Sequence, residues 1–193
     1  MKRLCLLNNK LTKTIISVFL FQIMSCSSID GEVSKLVSSM TLEEKIGQMT
    51  QVDYRYLADK SDIKKYFLGS ILSGGGSTPP TNQPSSWVEL YNGFQQEALK
   101  TRLKIPLIYG IDAVHGHNNV LGATMFPHNI GLGCMDDKAL VQEIAAATAA
   151  EVKATGLDWT FAPCVAVAQD ERWGRTYESY SEDSDIVTEL GVA

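Results

Sequence analysis

The sequence predicts an α/β chain that forms the N-terminal part of a (β/α)8 TIM-like barrel, an incomplete barrel. Three observations predict it. Apolar runs and helical patterns alternate as strand, helix, strand, helix, strand, which implies parallel pairing with right-handed crossovers. Long polar loops follow successive strands. Two of these, residues 110–117 (Gly-Ile-Asp-Ala-Val-His-Gly-His) and 170–183, crowd hydrogen-bonding side chains just after the apolar runs 105–109 and 159–163. In a barrel of parallel strands the carboxyl ends carry the active site. A doubly wound open sheet is the alternative α/β architecture, and the loops favour the barrel. The 193 residues fall short of the ~250 that eight units usually take. The expectation is therefore roughly the first half of a barrel, inactive and poorly folded when expressed alone.

Residues 1–25 read as a leader rather than as part of the fold. Lys2, Arg3, Lys10 and Lys13 precede an apolar run over 15–24 that is too short to span a bilayer. Ile23-Met24-Ser25-Cys26 resembles a lipobox, with cleavage before Cys26 and acylation of its thiol. An ordinary signal peptide that happens to contain a cysteine is the alternative. A free thiol at a mature N-terminus would be reactive, which favours the lipobox. The expected domain boundaries are thus 1–25 and 26–193, in a periplasmic or cell-surface lipoprotein that meets the membrane only through its lipid.

Thr41, followed three residues later by Glu44, forms a capping-box pattern, and Leu42, Ile46 and Met49 share one helical face. Residues 69–74 read as a buried strand running into Gly74-Gly75-Gly76. Residues 78–86, with three prolines, are a loop. Residues 87–102 read as a helix with Val88, Tyr91, Phe94 and Leu99 near helical spacing. A strand at 105–111 and a long loop through Phe126-Pro127 follow. Asp136 or Asp137 then caps an alanine-rich helix over 139–154 that Gly156 closes, and 157–162 is another strand.

Composition narrows the ligand class. Removing residues 1–25 takes four positive charges and no acidic ones, moving the formal charge from −5 to −9. An acidic chain without basic clusters argues against nucleic acid and anionic membrane, and fits a neutral ligand such as a sugar. Cys134 and Cys164 are too few for a disulfide framework and are expected as buried free thiols.

Asp112 follows the strand at 105–111. A strand-end carboxylate accepts hydrogen bonds from two adjacent sugar hydroxyls in fixed geometry. A structural aspartate holding the His-rich loop is the equal alternative. His115 and His117 form His-x-His, so together with Asp112 they suggest a metal-dependent hydrolase. Further ligands are not obvious, and histidines bonded to loop backbone are the preferred state. Arg172 and Arg175 offer planar forks and Trp173 an apolar face for a pyranose. Glu178, Glu182 and Asp183 are candidates to hold those arginines, the alternative being a solvated charge cluster.

Taken together, residues 70–76, 105–119, 126–133 and 170–183 resemble glycoside hydrolase family three, most closely its β-glucan exohydrolases and bacterial β-glucosidases. The resemblance covers about residues 32–193. It implies a retaining exo-β-glucosidase, without cofactor, acting on β-linked glucosides or oligosaccharides. Asp112 matches the aspartate that grips hydroxyls of the terminal sugar, and Arg175 the arginine that reaches the same ring. The resemblance places the nucleophilic aspartate and the acid/base glutamate beyond Ala193, so the remaining C-terminal part of the same enzyme is an expected partner. No catalytic residue is assigned within the 193, and a non-catalytic sugar-binding remnant stays as an alternative.

Overall fold

The computed structural model describes residues 29–193. The leader and Cys26 lie outside the described residues. The chain divides into two compact units, 1–45 and 46–193. In the described part of the first, α1 (Ile29–Ser39) has no buried residue. The capping box then appears as read: the Thr41 N–H donates to Glu44 Oε2 at 2.9 Å, and the Glu44 N–H to Thr41 Oγ1 at 3.2 Å. These bonds open α2 (Leu42–Gln48). Its expected apolar face is not a core face, since Leu42, Ile46 and Met49 are all exposed.

The second unit holds four parallel strands, β1 (Gln51–Asp53), β2 (Ser70–Ser73), β3 (Ile108–Ile111) and β4 (Trp159–Thr160), in the order β1-β2-β3-β4. Between them lie α3 (Asp62–Lys65), α4 (Pro84–Ala98), α5 (Asn129–Met135) and α6 (Lys138–Ala154); α7 (Ser184–Gly191) follows β4. Sequential order without reversal is barrel topology, because a doubly wound sheet reverses at a switch point. The helices agree. One core cluster collects Ile63 of α3, Trp87, Phe94 and Ala98 of α4, and Val152 of α6 against Ile71, Tyr109 and Ile111. The Phe94 and Tyr109 rings meet edge to face at 5.6 Å, so Tyr109 points into this helix layer. The opposite pleat row, Asp53–Leu72–Gly110–Trp159, faces away from it.

Several boundaries differ from the sequence reading for local reasons. Helix α4 starts at Pro84 rather than 87, because proline fits the first helical turn, where its missing N–H is no loss. It ends at Ala98, and Leu99 is exposed rather than part of the core face. Strand β3 starts at Ile108, not 105. Both backbone groups of Leu107 are taken by the Gln95 side chain, at 2.7 and 3.1 Å, and are withdrawn from the ladder. Strand β4 is only two residues long. The Thr160 hydroxyl accepts the Ala162 N–H at 3.3 Å, and Pro163 has none to give. Helix α6 is capped by Asp137, which accepts the Leu140 N–H at 3.0 Å, and Gly156 follows its end at φ +86°. The thiols of Cys134 and Cys164 are free as expected but not buried: Cys134 is exposed and Cys164 half-buried.

Candidate functional site

The carboxyl ends of β1, β2 and β3 converge on Gly74. A side chain there would begin 3.6 Å from Asp112 Oδ2 and 3.7 Å from Asp53 Oδ2. Asp112, one residue past β3, is half-buried. Burial raises its pKa above the usual carboxylate value, and the charges of Glu178 and Asp53 add to the rise; the Gly75 N–H and Arg175 oppose it. Asp53 goes the other way. Burial pushes its carboxyl up, but hydrogen bonds from Arg55 and Ser77 outweigh that and hold it low.

The loop after β3 is built on Gly116. Its φ of +90° suits glycine, and any Cβ would run into the carbonyl oxygen of Thr124. Glu151 of α6 anchors the same loop, accepting the Thr124 N–H at 3.1 Å and its hydroxyl at 2.8 Å. The loop's hold on Asp112 is through backbone: Asn119 Nδ2 donates to the Asp112 carbonyl at 3.0 Å.

The two histidines separate. His117 has 1% of its surface exposed, and its Nε2 lies 2.9 Å from Thr155 Oγ1. That hydroxyl already donates to the Val152 carbonyl, so Nε2 is the donor in this contact, and burial lowers the His117 pKa from the usual imidazole value. His115 instead bonds the Phe126 carbonyl through Nδ1 at 3.1 Å and packs on His128, ring centroids 4.1 Å apart. His-x-His therefore does not present two ligands to one point. Among the described residues, no three His, Cys, Asp or Glu side chains gather where a metal could be held.

His128 carries the contact onward, its ring lying edge-on to Tyr177 at 4.7 Å. Asn129 Nδ2 donates to the Glu178 carbonyl at 2.8 Å. These contacts bring the loops after β3 and β4 together. Arg175 is gripped by Glu178, with Nε 2.9 and 3.0 Å from its two carboxylate oxygens. The Arg175 hydrogen bond holds the buried Glu178 carboxyl below its usual pKa. The arginine side chain stays 64% exposed.

Arg172 behaves as the solvated alternative: it pairs with Asp170 upstream, at 2.6 Å, and is 87% exposed. Asp183, expected to hold an arginine, instead caps α7 by accepting the Asp185 N–H at 2.7 Å. Asp53, Arg55 and Ser77 were missed. Asp53 ends a three-residue strand with one apolar side chain, and nothing local marks it.

The site sets the Asp112 carboxylate, close to Gly74, in the electrostatic reach of the Arg175 guanidinium. This pairing of acceptor and donors suits a neutral polyhydroxylated ligand.

Comparison with known proteins identifies the family. Residues 41–193 match the glycosyl hydrolase family 3 N terminal domain. The lysosomal beta glucosidase of Dictyostelium discoideum is 36% identical over 86% of this chain and 22% of its own length. The periplasmic beta-glucosidase of Salmonella typhimurium is 32% identical over 84% of this chain and 20% of its own. The crystal structure of the exo-1,3/1,4-beta-glucanase ExoP from a Pseudoalteromonas species superposes with a TM-score of 0.79 at 45% identity, covering 86% of this chain and 21% of that one. The chain thus spans about a fifth of the length of these relatives, and it belongs to glycosyl hydrolase family 3.

Proposed function

We propose that this chain supplies the sugar-gripping part of a retaining, exo-acting β-glucosidase that removes terminal β-D-glucosyl residues from β-glucosides or short β-glucans. The observation that carries the reading is the meeting of the loops after β3 and β4. It sets the Asp112 carboxylate and the Glu178-held Arg175 guanidinium at the strands' carboxyl ends. Family membership and the names of the relatives support the substrate class. Asp112 accepts hydroxyls of the non-reducing sugar, and Arg175 donates to the same ring.

Retaining hydrolysis needs two carboxylates about 5–5.5 Å apart, one as nucleophile and one as acid/base. Asp112 serves the distant hydroxyls, and none of the 193 residues is assigned either catalytic role. Catalysis is therefore assigned to a complete protein in which residues 26–193 form the first part of the barrel domain. The leader-like pattern of residues 1–25, the resemblance of Ile23-Met24-Ser25-Cys26 to a lipobox and the periplasmic naming of two relatives support placement in the periplasm or at the cell surface. The test is hydrolysis of an aryl β-glucoside by the complete protein, with product stereochemistry followed by NMR. Release of β-glucose as the first-formed sugar is expected. Glucose binding without turnover would leave only the sugar-binding remnant, and neither would overturn the reading.

A further inference from the structure

Arg175 is tied to the short 3-10 turn that follows it, Thr176–Glu178. The Glu178 N–H donates to the Arg175 carbonyl at 2.9 Å, and Arg175 Nε donates to the two Glu178 carboxylate oxygens at 2.9 and 3.0 Å. Arginine and turn therefore move as one body, and the ion pair between them says nothing about where that body sits. Its place is set from outside. Asn129, the first residue of α5, has 5% of its surface exposed, and its Nδ2 donates to the Glu178 carbonyl at 2.8 Å. Glu178 is thus held at both ends, its carboxylate by Arg175 and its carbonyl by Asn129.

Two contacts flank the Asn129 bond. The His128 ring meets Tyr177 edge-on at 4.7 Å, and the Tyr180 carbonyl lies where a side chain on Gly133 would begin. Helix α5 is tied in turn to the loop that carries Asp112. His128 packs on His115, three residues past Asp112, with ring centroids 4.1 Å apart, and the Phe126 N–H donates to the His115 carbonyl at 2.9 Å. Asn129 is therefore the hydrogen-bonded joint between the loop of Asp112 and the turn of Arg175.

We infer that Asn129 is a positioning residue for Arg175: its amide fixes the backbone of the 175–178 turn and so sets the arginine's place relative to Asp112. The inference rests on the reading of Arg175 as a sugar ligand. Gripping one ring from two loops requires their groups to be held within about 0.5 Å. An exposed ion pair does not hold such a distance, whereas a buried amide on a buried carbonyl does, because breaking that bond leaves both groups unsatisfied.

The test is calorimetric glucose binding to the complete protein carrying Asn129→Ala, Arg175→Ala or both. Asn129→Ala should weaken glucose about fivefold, the population shift that one neutral hydrogen bond sustains, and by less than Arg175→Ala does. In the Arg175→Ala background, removing Asn129 should cost no further affinity, because it acts through the arginine. A purely structural residue would instead lower the melting temperature and leave glucose affinity unchanged. Asn129→Asp adds a pH readout. It keeps the shape, but an ionised carboxylate cannot donate to the Glu178 carbonyl, whereas the protonated acid can. The titratable groups around it, His115, His128, Arg175, Tyr177, Glu178 and Tyr180, are shared with the wild type. The wild-type to variant affinity ratio at each pH therefore isolates the new carboxyl, and should return toward one as pH falls.

Wild-type affinity in Asn129→Ala would overturn the inference, and so would an Asn129 effect that persists undiminished in the Arg175→Ala background. If Asn129→Ala does not fold, an Asn129→Asp ratio that stays constant with pH would overturn it. Undiminished glucose binding in Arg175→Ala defeats the reading of Arg175 itself, whereas weakened binding there beside an unaffected Asn129→Ala defeats the positioning role alone.

Discussion

Replacing Asp112 separates its two possible roles, because they predict opposite changes in stability. As a sugar ligand, Asp112 loses two charge-assisted hydrogen bonds on substitution by alanine, nominally about 1.5–3 kcal/mol each. The group is half-buried and partly solvated before the sugar arrives, so the lower bound applies. About 3 kcal/mol is roughly a hundredfold in kcat/KM. Asp112→Asn keeps acceptor geometry without charge and should lose about tenfold. Stability should go the other way. Burial, Glu178 and Asp53 raise the Asp112 pKa, so the folded state disfavours its ionised form. That penalty is absent below the unfolded value near ~3.9 and grows as pH rises through the raised folded value. Asp112→Asn should therefore melt higher than wild type at neutral pH, with the difference vanishing in strong acid. The His-rich loop is spared, because Asn119 holds the Asp112 carbonyl rather than its side chain. The assays are steady-state hydrolysis of an aryl β-glucoside and thermal melts across pH. A variant with near-normal kcat/KM and a lower melting temperature would make Asp112 structural and sink its assignment as a sugar ligand.

Glu178→Gln removes the ionic partner of an arginine that is 64% exposed, so its stability cost should stay below about 1 kcal/mol while kcat/KM falls about tenfold. Arg175 depresses the Glu178 pKa; the resulting stability is present above the unfolded value near ~4.3 and is lost as pH falls through the folded one. Urea melts should show a flatter acid flank in the variant. Gly116→Ala forces a Cβ onto the Thr124 carbonyl at a φ of +90° and should destabilise the fold by roughly 2–4 kcal/mol in chemical denaturation. Cys26→Ser should move the protein from the membrane fraction to the soluble fraction, and mass spectrometry of the wild type should find an acylated Cys26 N-terminus. An unmodified N-terminus elsewhere would contradict this.

What was legible in the sequence follows the range of the interaction that sets it. The Thr41–Glu44 box, the Asp137 cap and the Gly156 stop are local hydrogen-bond and steric devices, and each appears as read. Strand β1 was not legible. Gln51-Val52-Asp53 has one apolar side chain, and it is a strand because β2 pairs with it. Helix α5 was missed for a similar reason. Gly131 and Gly133 weaken any helical pattern, yet Gly133 is what lets the Tyr180 backbone approach. Asp112 and Arg175 were found through their motifs, and the structure adds how they are held. Asp53 and Ser77 are 24 residues apart and meet only once β1 and β2 are paired, so no spacing rule reaches them. The histidine pair shows the converse. Adjacent in a suggestive pattern, its members part because His117 turns inward to Thr155 and His115 outward to the Phe126 carbonyl.

A crystal structure of the complete protein with glucose bound tests the sugar-gripping role of this chain without intermediaries. The sugar is expected at the carboxyl ends of β2 and β3, with two hydroxyls within about 3.2 Å of the Asp112 carboxylate and one within the same distance of the Arg175 guanidinium. Glucose bound elsewhere, with neither Asp112 nor Arg175 touching it, would contradict that role.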